Sequence, residues 1–361
     1  MANTFKTFLN SDIANTRTLL HEAIPITGTI ISGTYSGADA VGGNIKTFAH
    51  GMFEAVYDYP YLSSSANHIF DITTGYAASS DFFSSNNVQN AKKVNIYNQH
   101  AQILVGYDVT GSIQLFDADG NIADGGTKMD SCFFINFSRL LVKDEIKKGS
   151  FRMALYASSS VAGVEGDPDE RFDMDTIGDY GAATEYRVNS PSGEYGLLYT
   201  SSTSDAVEAF VVGHIYYQAG IAVLTSSYFT GSFQDPLAPG SPGGGDAQLP
   251  DYYGEGTISE LANAFRFTVD NIEFNNTTEL NSTIYFCRAN TQDYNYSSNP
   301  TYLTASKIRV KNNNSKADPV SYVTTIGLYS ADNELLAVAK LSEPLKKSPS
   351  NELTLRVRLD Y

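Results

Sequence analysis

The chain reads as an α+β protein, mostly antiparallel β with a few short helices and a β-rich C-terminal domain. Three observations predict this. Strand-like runs dominate the C-terminal part, where STIYFCRA, SKIRVKN, SYVTTIGLYS, ELLAVAKLS and ELTLRVRLDY follow one another. The last run alternates strictly. Leu353, Leu355, Val357 and Leu359 face one way and Thr354, Arg356, Arg358 and Asp360 the other, the period of a half-buried strand. Helical periodicity, by contrast, is confined to a few short stretches.

Taken in order, residues 3–23 place Phe5, Phe8, Leu9, Ile13, Leu19, Leu20 and Ala23 at near-helical spacing that Pro25 stops, which predicts an N-terminal helical arm over 1–26. PITGTIISGTY alternates and reads as a strand. NIYNQHAQILVGYD opens as a helix. In CFFINFSRLLVKDEIKKGSFRMALY an apolar strand passes into a charged turn or short helix, and KKG leads into a second strand. EYGLLY and AFVVGHIYYQAGIAVLTSSYF supply three further strands, with QAG as a turn. These runs make a β-rich central domain, 27–230, with an acidic loop at 157–184. A Pro/Gly-rich loop follows at 231–256. The C-terminal β-domain, 257–361, opens with TISELANAFRF, a short helix capped by Thr257 or Ser259. Its runs at 321–342 form a hairpin around SADNE, and its last strand docks into a sheet.

Composition excludes several functions. The net charge is −16, so a phosphate backbone or an anionic bilayer is repelled and no nucleic-acid partner is expected. No apolar run reaches 18 residues, so no membrane insertion is expected. MANTFKTFLNSDI lacks the pattern of a secretory signal. Charged residues are only 18%, which leaves a surface of Ser, Thr, Asn, Gln, Tyr and Gly suited to packed assemblies. Cys132 and Cys287 sit in apolar runs and read as buried free thiols.

The motifs of catalysis are missing. His21, His50, His68, His100 and His214 are scattered, with no pair at metal-ligand spacing. Gly243 to Gly245 lack the P-loop lysine. DADGNIADGG matches the first ligands of a calcium loop with Asp117, Asp119 and Asn121. It then fails at Ile122, where glycine is required, and at Lys128, where a bidentate glutamate is required, so it reads as a hairpin turn. The seven acids between 165 and 179 read as a solvated loop. The sequence therefore predicts a non-enzyme with no cofactor and no metal.

FNNTTELNSTIYFCRANTQDYNYSSNPTYL, SYVTTIGLYSADNELLAVAKLSEPLKK and the terminal LTLRVRLDY are similar to a group of virion structural proteins of large contractile-tailed bacteriophages, particularly the T-even-like phages of marine cyanobacteria. LLHEAIPITGTIISGTY, VYDYPYLSSSANHIFD, INFSRLLVKDEIKKGSF and YYQAGIAVLTSSYF fit the same group. The resemblance spans most of the chain, with 77–90, 157–184 and 231–256 as variable insertions. It implies a particle component assembled in the host cytoplasm, present in several copies and bound to other virion proteins. A place in or beside the baseplate is the preferred implication. A neck or capsid-surface protein and a glycan receptor-binding tail module are the alternatives. Contact with the host surface is not favoured, because the chain has no repeats and no stalk.

Two stretches are the expected partner-binding sites. In NYSSNPTYL, Pro300 restricts Asn299 to extended backbone, so Tyr294, Tyr296 and Tyr302 stand on a stiffened loop. The other view of those rings is that they fold inward and plug the domain. In LSEPLKKSPSNELTL, Pro344 and Pro349 bracket Lys346 and Lys347, a basic turn that either meets an acidic neighbour or is an exposed loop of no consequence.

Overall fold

The computed structural model describes residues 5–33, 43–122, 125–155, 175–200, 210–229, 253–297, 300–304, 307–308, 314 and 316–361. The strands of the first part are β1 (Ile13–Thr27), β2 (Ile45–Thr47), β3 (Glu54–Tyr57), β4 (His68–Tyr76), β5 (Phe116–Asp117), β6 (Lys128–Met129) and β7 (Ser131–Phe137). The next are β8 (Glu145–Ile146), β9 (Arg152–Leu155), β10 (Asp175–Gly178), β11 (Arg187–Ser190), β12 (Gly193–Tyr199), β13 (Val211–Tyr216) and β14 (Ile221–Thr225). The last are β15 (Val269–Ala289), β16 (Leu303–Thr304), β17 (Lys307–Ile308), β18 (Ser321–Tyr329), β19 (Leu335–Lys347) and β20 (Leu353–Asp360). The helices are α1 (Gly28–Ser32), α2 (Asn90–Leu104), α3 (Arg139–Val142) and α4 (Ile258–Thr268). The fold is thus mostly antiparallel β with few helices. Two compact units emerge: Leu20–Thr278, and Met1–Leu19 together with Glu279–Tyr361.

In the larger unit the strands run β15, β9, β10, β12, β13, β14, β7, β4, β3, β2, with antiparallel ladders throughout. The central strand β7 explains the arrangement. Phe133, Ile135 and Phe137 point to one core, shared with Leu261 and Phe265 of α4. Cys132 and Phe134 point to the other, shared with Ile96, Tyr97 and Ala101 of α2. A strand covered on both faces has no polar side to alternate, so CFFINF is nearly continuously apolar. The Phe133 and Phe265 rings stack with centroids 4.6 Å apart, fixing α4 on its face. On the other face Gly75 is required. A Cβ there would lie 2.4 Å from the Lys93 carbonyl oxygen, so only glycine lets α2 lie this close to β4. The α4 start follows its sequence signal, since the Thr257 side chain accepts the Glu260 N–H while the Glu260 carboxylate accepts the Thr257 N–H.

Residues 5–26 do not form the helical arm expected over 1–26. A short 3-10 turn at Asn10–Asp12 leads into the extended β1. The strand lies at the end of the sheet order, where Pro25, lacking an N–H, is tolerated, and nearly all its side chains are exposed. Pairing with β15 overrides a helical periodicity that buries no apolar stripe. PITGTIISGTY is strand only to Thr27 and then turns into α1.

In the smaller unit β20 pairs antiparallel with the second half of β15, Val357 opposite Tyr285 and Leu355 opposite Cys287. Burial alternates as the sequence requires, with Val357 buried and Arg356 and Arg358 exposed. Strands β18 and β19 form the expected hairpin, turned by Asn333 at φ 64°. Opposite Thr324 the register shifts, so that β19 bulges between Lys340 and Leu345, and Pro344 sits in that bulge. The unit takes in residues 1–19 and begins at Glu279; α4 and the first half of β15, expected with the C-terminal domain, belong to the larger unit.

Candidate assembly surface

The stretch RANTQDYNYS leaves β15 and is tied into a turn by its own polar side chains. The Asp293 carboxylate accepts the Asn290 N–H at 3.1 Å, and the Asn295 amide donates to the Thr291 carbonyl at 2.7 Å. The Ser321 hydroxyl, from β18, donates to the Tyr294 carbonyl. Lys6 ion-pairs with Asp293 and its bond holds that carboxyl below its usual range. These bonds fix Tyr294 in left-handed backbone, φ 53°, a conformation that costs a side-chain-bearing residue about 1–2 kcal/mol. The result is outward display: Tyr294 is 51% exposed and Tyr296 59%. Pro300–Tyr302 is a 3-10 turn with Pro300 exposed and Tyr302 half-buried. Asn299 lies outside the described residues.

Of the two lysines, Lys346 is exposed at the end of β19. Lys347 is not a surface contact. It is fully buried, and its ammonium donates to the Asn295 side chain at 2.8 Å, to the Ser348 carbonyl at 2.8 Å and to the Thr291 carbonyl at 3.2 Å. The basic turn and the tyrosine loop, distant in sequence, are therefore one construction in which the lysine clamps the loop. In an alternating strand, neighbouring side chains point to opposite sides, and here Lys346 faces solvent while Lys347 faces the loop.

Tyr294 also borders a cleft of about 560 Å³, whose walls include Phe5, Phe8, Phe286, Ile326 and Leu328. The N-terminal segment forms one wall, with the Phe5 ring 4.3 Å from Tyr329 and the Phe8 ring 5.3 Å from Tyr285. Cys287 lines the cleft as a half-buried free thiol, whereas Cys132 is wholly buried as expected. This unit buries little. Among its described residues the buried apolar side chains are Ile284, Ala289, Leu328 and Val357, while Tyr322, Tyr329, Leu335, Leu336, Val338 and Leu345 of the hairpin are exposed. A two-stranded sheet with both faces in water is marginal by itself.

The polar clusters of the larger unit are engaged within the fold. The expected hairpin is present, β5 pairing with β6 so that Asp117 lies opposite Lys128, while Ala123 and Asp124 lie outside the described residues. Asp117 accepts the Asp119 N–H and Asp119 the Asn121 N–H, the turn pattern of a cation loop, but Lys128 ion-pairs with Asp117. A side-chain ammonium thus stands where a metal loop brings another carboxylate. Asp179 is not solvated. It is buried, accepting the N–H groups of Gly149 (2.7 Å) and Phe151 (2.9 Å), the Tyr217 hydroxyl (2.9 Å) and Arg152 (3.1 Å). Burial raises its pKa against those donors. Of the other acids in that loop, those up to residue 173 lie outside the described residues.

Glu54, raised by burial, pairs with Arg266 at 3.3 Å, while Arg266 also donates to the Ile31 carbonyl at 2.8 Å, pinning α4 to β3 and α1. Lys93 is buried and donates to the Tyr253 and Gly256 carbonyls, and burial lowers its pKa to about 8. His214 lies among Tyr195, Tyr216 and Phe116, and burial takes its pKa to about 4, so its imidazole is neutral. Among the described residues no three metal-ligating side chains converge, and no helix is long and apolar enough to cross a membrane.

Sequence reasoning missed the cleft and the Lys347 clamp because both depend on strands far apart in the chain. A comparison with family models, with curated proteins and with solved structures found no match to this chain.

Proposed function

We propose that the chain is a non-enzymatic structural component of a bacteriophage particle, placed in or beside a contractile-tail baseplate, and that its smaller unit joins neighbouring virion proteins. One observation carries the assembly role: that unit leaves Tyr294 and Tyr296 of its loop, its aromatic cleft and Leu335, Leu336 and Leu345 of its hairpin uncovered. Such a surface resembles a core waiting for its other half, as permanent interfaces do. In this reading β18, β19 and β20 act as a C-terminal β-rich docking domain, and residues 5–12 complete it. The clamped backbone of 290–296 lowers the ordering cost of binding, and the tyrosines supply large contact area with few rotatable bonds. The sequence resemblance supplies the setting, a tailed phage.

The test is incorporation. Particles are grown with Tyr294 and Tyr296 both changed to Ala, and the copy number of the chain is read by quantitative mass spectrometry. The reading expects a folded protein that fails to enter particles. Normal copy number would remove the tyrosine loop from the interface.

A further inference from the structure

Two strand edges line the cleft of the smaller unit. The lining takes consecutive residues of β18 from Thr325 onward and none of β19, so the free edge of β18 faces the cleft. It also takes consecutive residues of β15, Phe286 to Ala289, and only Leu355 of β20. The Thr283 hydroxyl donates to Asn15 at 2.8 Å, and the Thr277 hydroxyl lies 3.2 Å from the His21 ring. Strand β1 therefore runs antiparallel to β15, and its first residue, Ile13, falls opposite Tyr285. Beyond that point the β1 side of β15 is an open edge among the described residues.

Both edges carry unpaired main chain. The Tyr361 N–H donates to the Asn281 carbonyl at 2.9 Å, and the β15–β20 ladder runs on from there without a register shift. Bonded and non-bonded pairs alternate in such a ladder, so Cys287 is bonded to β20 while Phe286 and Arg288 turn their N–H and C=O groups to the open side. The Ser330 N–H donates to the Glu334 carbonyl at 2.8 Å, and the same alternation turns the main chain of Tyr329, Gly327 and Thr325 away from β19. Among the described residues none of these outward main-chain groups has a hydrogen-bond partner. Nor is the β18 edge guarded. Residues 325–329 hold no charge and no proline, the devices that keep strand edges from pairing, whereas β19 has both Pro344 and a bulge.

We propose that the cleft receives an added β-strand, an extended segment of a neighbouring virion protein whose main chain pairs with these edges. Open main-chain donors and acceptors on two strands call for extended backbone as the occupant. The segment is uncharged, because the ionic groups at the cleft are already matched, Lys6 with Asp293 and Arg288 with Asp12. It is apolar at alternate positions, to meet the rings of Phe5, Phe8 and Tyr294 in the cleft wall. This deepens the assembly reading by naming what docks, and it rests on that reading for the source of the strand.

The experiment uses the purified full chain and two synthetic peptides. One is a capped heptapeptide of alternating Val and Thr. The other carries the same side chains, with ester oxygens in place of its main-chain N–H groups. Amide exchange of the protein is followed by NMR. With the first peptide at about ten times its Kd, the N–H groups of Phe286, Arg288, Thr325, Gly327 and Tyr329 are expected to exchange about tenfold more slowly. That of Cys287, already bonded to β20, is expected to stay unchanged. The ester peptide is expected to protect none of them.

Equal protection by the ester peptide would overturn the proposal, as would a first peptide that leaves those N–H groups unprotected at millimolar concentration. Protection in the chain alone, with dimers in sedimentation, would give the edges to a second copy and overturn the assignment to another protein. If the peptides fail and Y294A/Y296A is still lost from particles, docking uses the rings without strand addition; the proposal is then wrong and the assembly role stands. If the first peptide protects as expected and Y294A/Y296A enters particles normally, the strand site stands and the tyrosine interface falls.

Discussion

Lys347 shows how a single side chain changes its meaning between sequence and fold. In the sequence it is half of a basic turn; in the structure it is a buried donor to Thr291, Asn295 and Ser348. Removing it leaves buried acceptors without a donor, which costs about 1–3 kcal/mol. K347M, which keeps the aliphatic stem, is expected to lower the urea midpoint accordingly and to speed amide exchange at residues 291–296. K346M, at an exposed site, is expected to stay within about 0.5 kcal/mol of wild type. Lys93 gives a pH signature. Its folded pKa, lowered to about 8, lies below the ordinary lysine value of 10.5, so the unfolded chain binds more protons between those values. Stability conferred by this group therefore rises as pH increases from 8 to 10.5, and is at its minimum below 8. The difference in unfolding free energy between wild type and K93M should grow over that window. A flat difference would mean that the ammonium is not desolvated.

At the scale of elements, legibility followed the source of each element's stability. CFFINF, EYGLLY, the strands around QAG and the last strand all carry their burial pattern in their own residues, and all are strands; the SADNE hairpin was legible through its turn. Helix α4 announces itself through the Thr257 and Glu260 capping box, and T257A is expected to cost about 1 kcal/mol. The start of the chain is strand and not helix because β1 is held by pairing with β15, not by a buried face of its own. Local spacing cannot report a partner some 250 residues away, and the same limit hid the cleft. The alternation of β20 gives a direct check. V357A, at a buried position, is expected to cost about 1.5–3 kcal/mol, whereas R356A, on the exposed side, should change stability by about 0.5 kcal/mol or less. Equal costs at both positions would refute the register that places Val357 opposite Tyr285.

For the whole molecule, the contrast between the units is the main physical fact. The larger unit buries aromatic cores on both faces of its sheet, whereas the smaller leaves Tyr294, Tyr296, Leu335, Leu336 and Leu345 exposed to water. The candidate site was only partly legible in the sequence. The tyrosine loop could be picked out from its composition, but its direction could not, because Tyr294 points outward only through a left-handed backbone fixed by Ser321 and Lys6. The central claim is that these rings serve assembly and not the fold of their own unit. The most direct measurement pairs the melting temperature of purified Y294A/Y296A with its copy number in particles. The account predicts a melting temperature within about 2 °C of wild type, the shift expected for under 1 kcal/mol, together with loss from the particle. A lowered melting temperature with normal incorporation would contradict it.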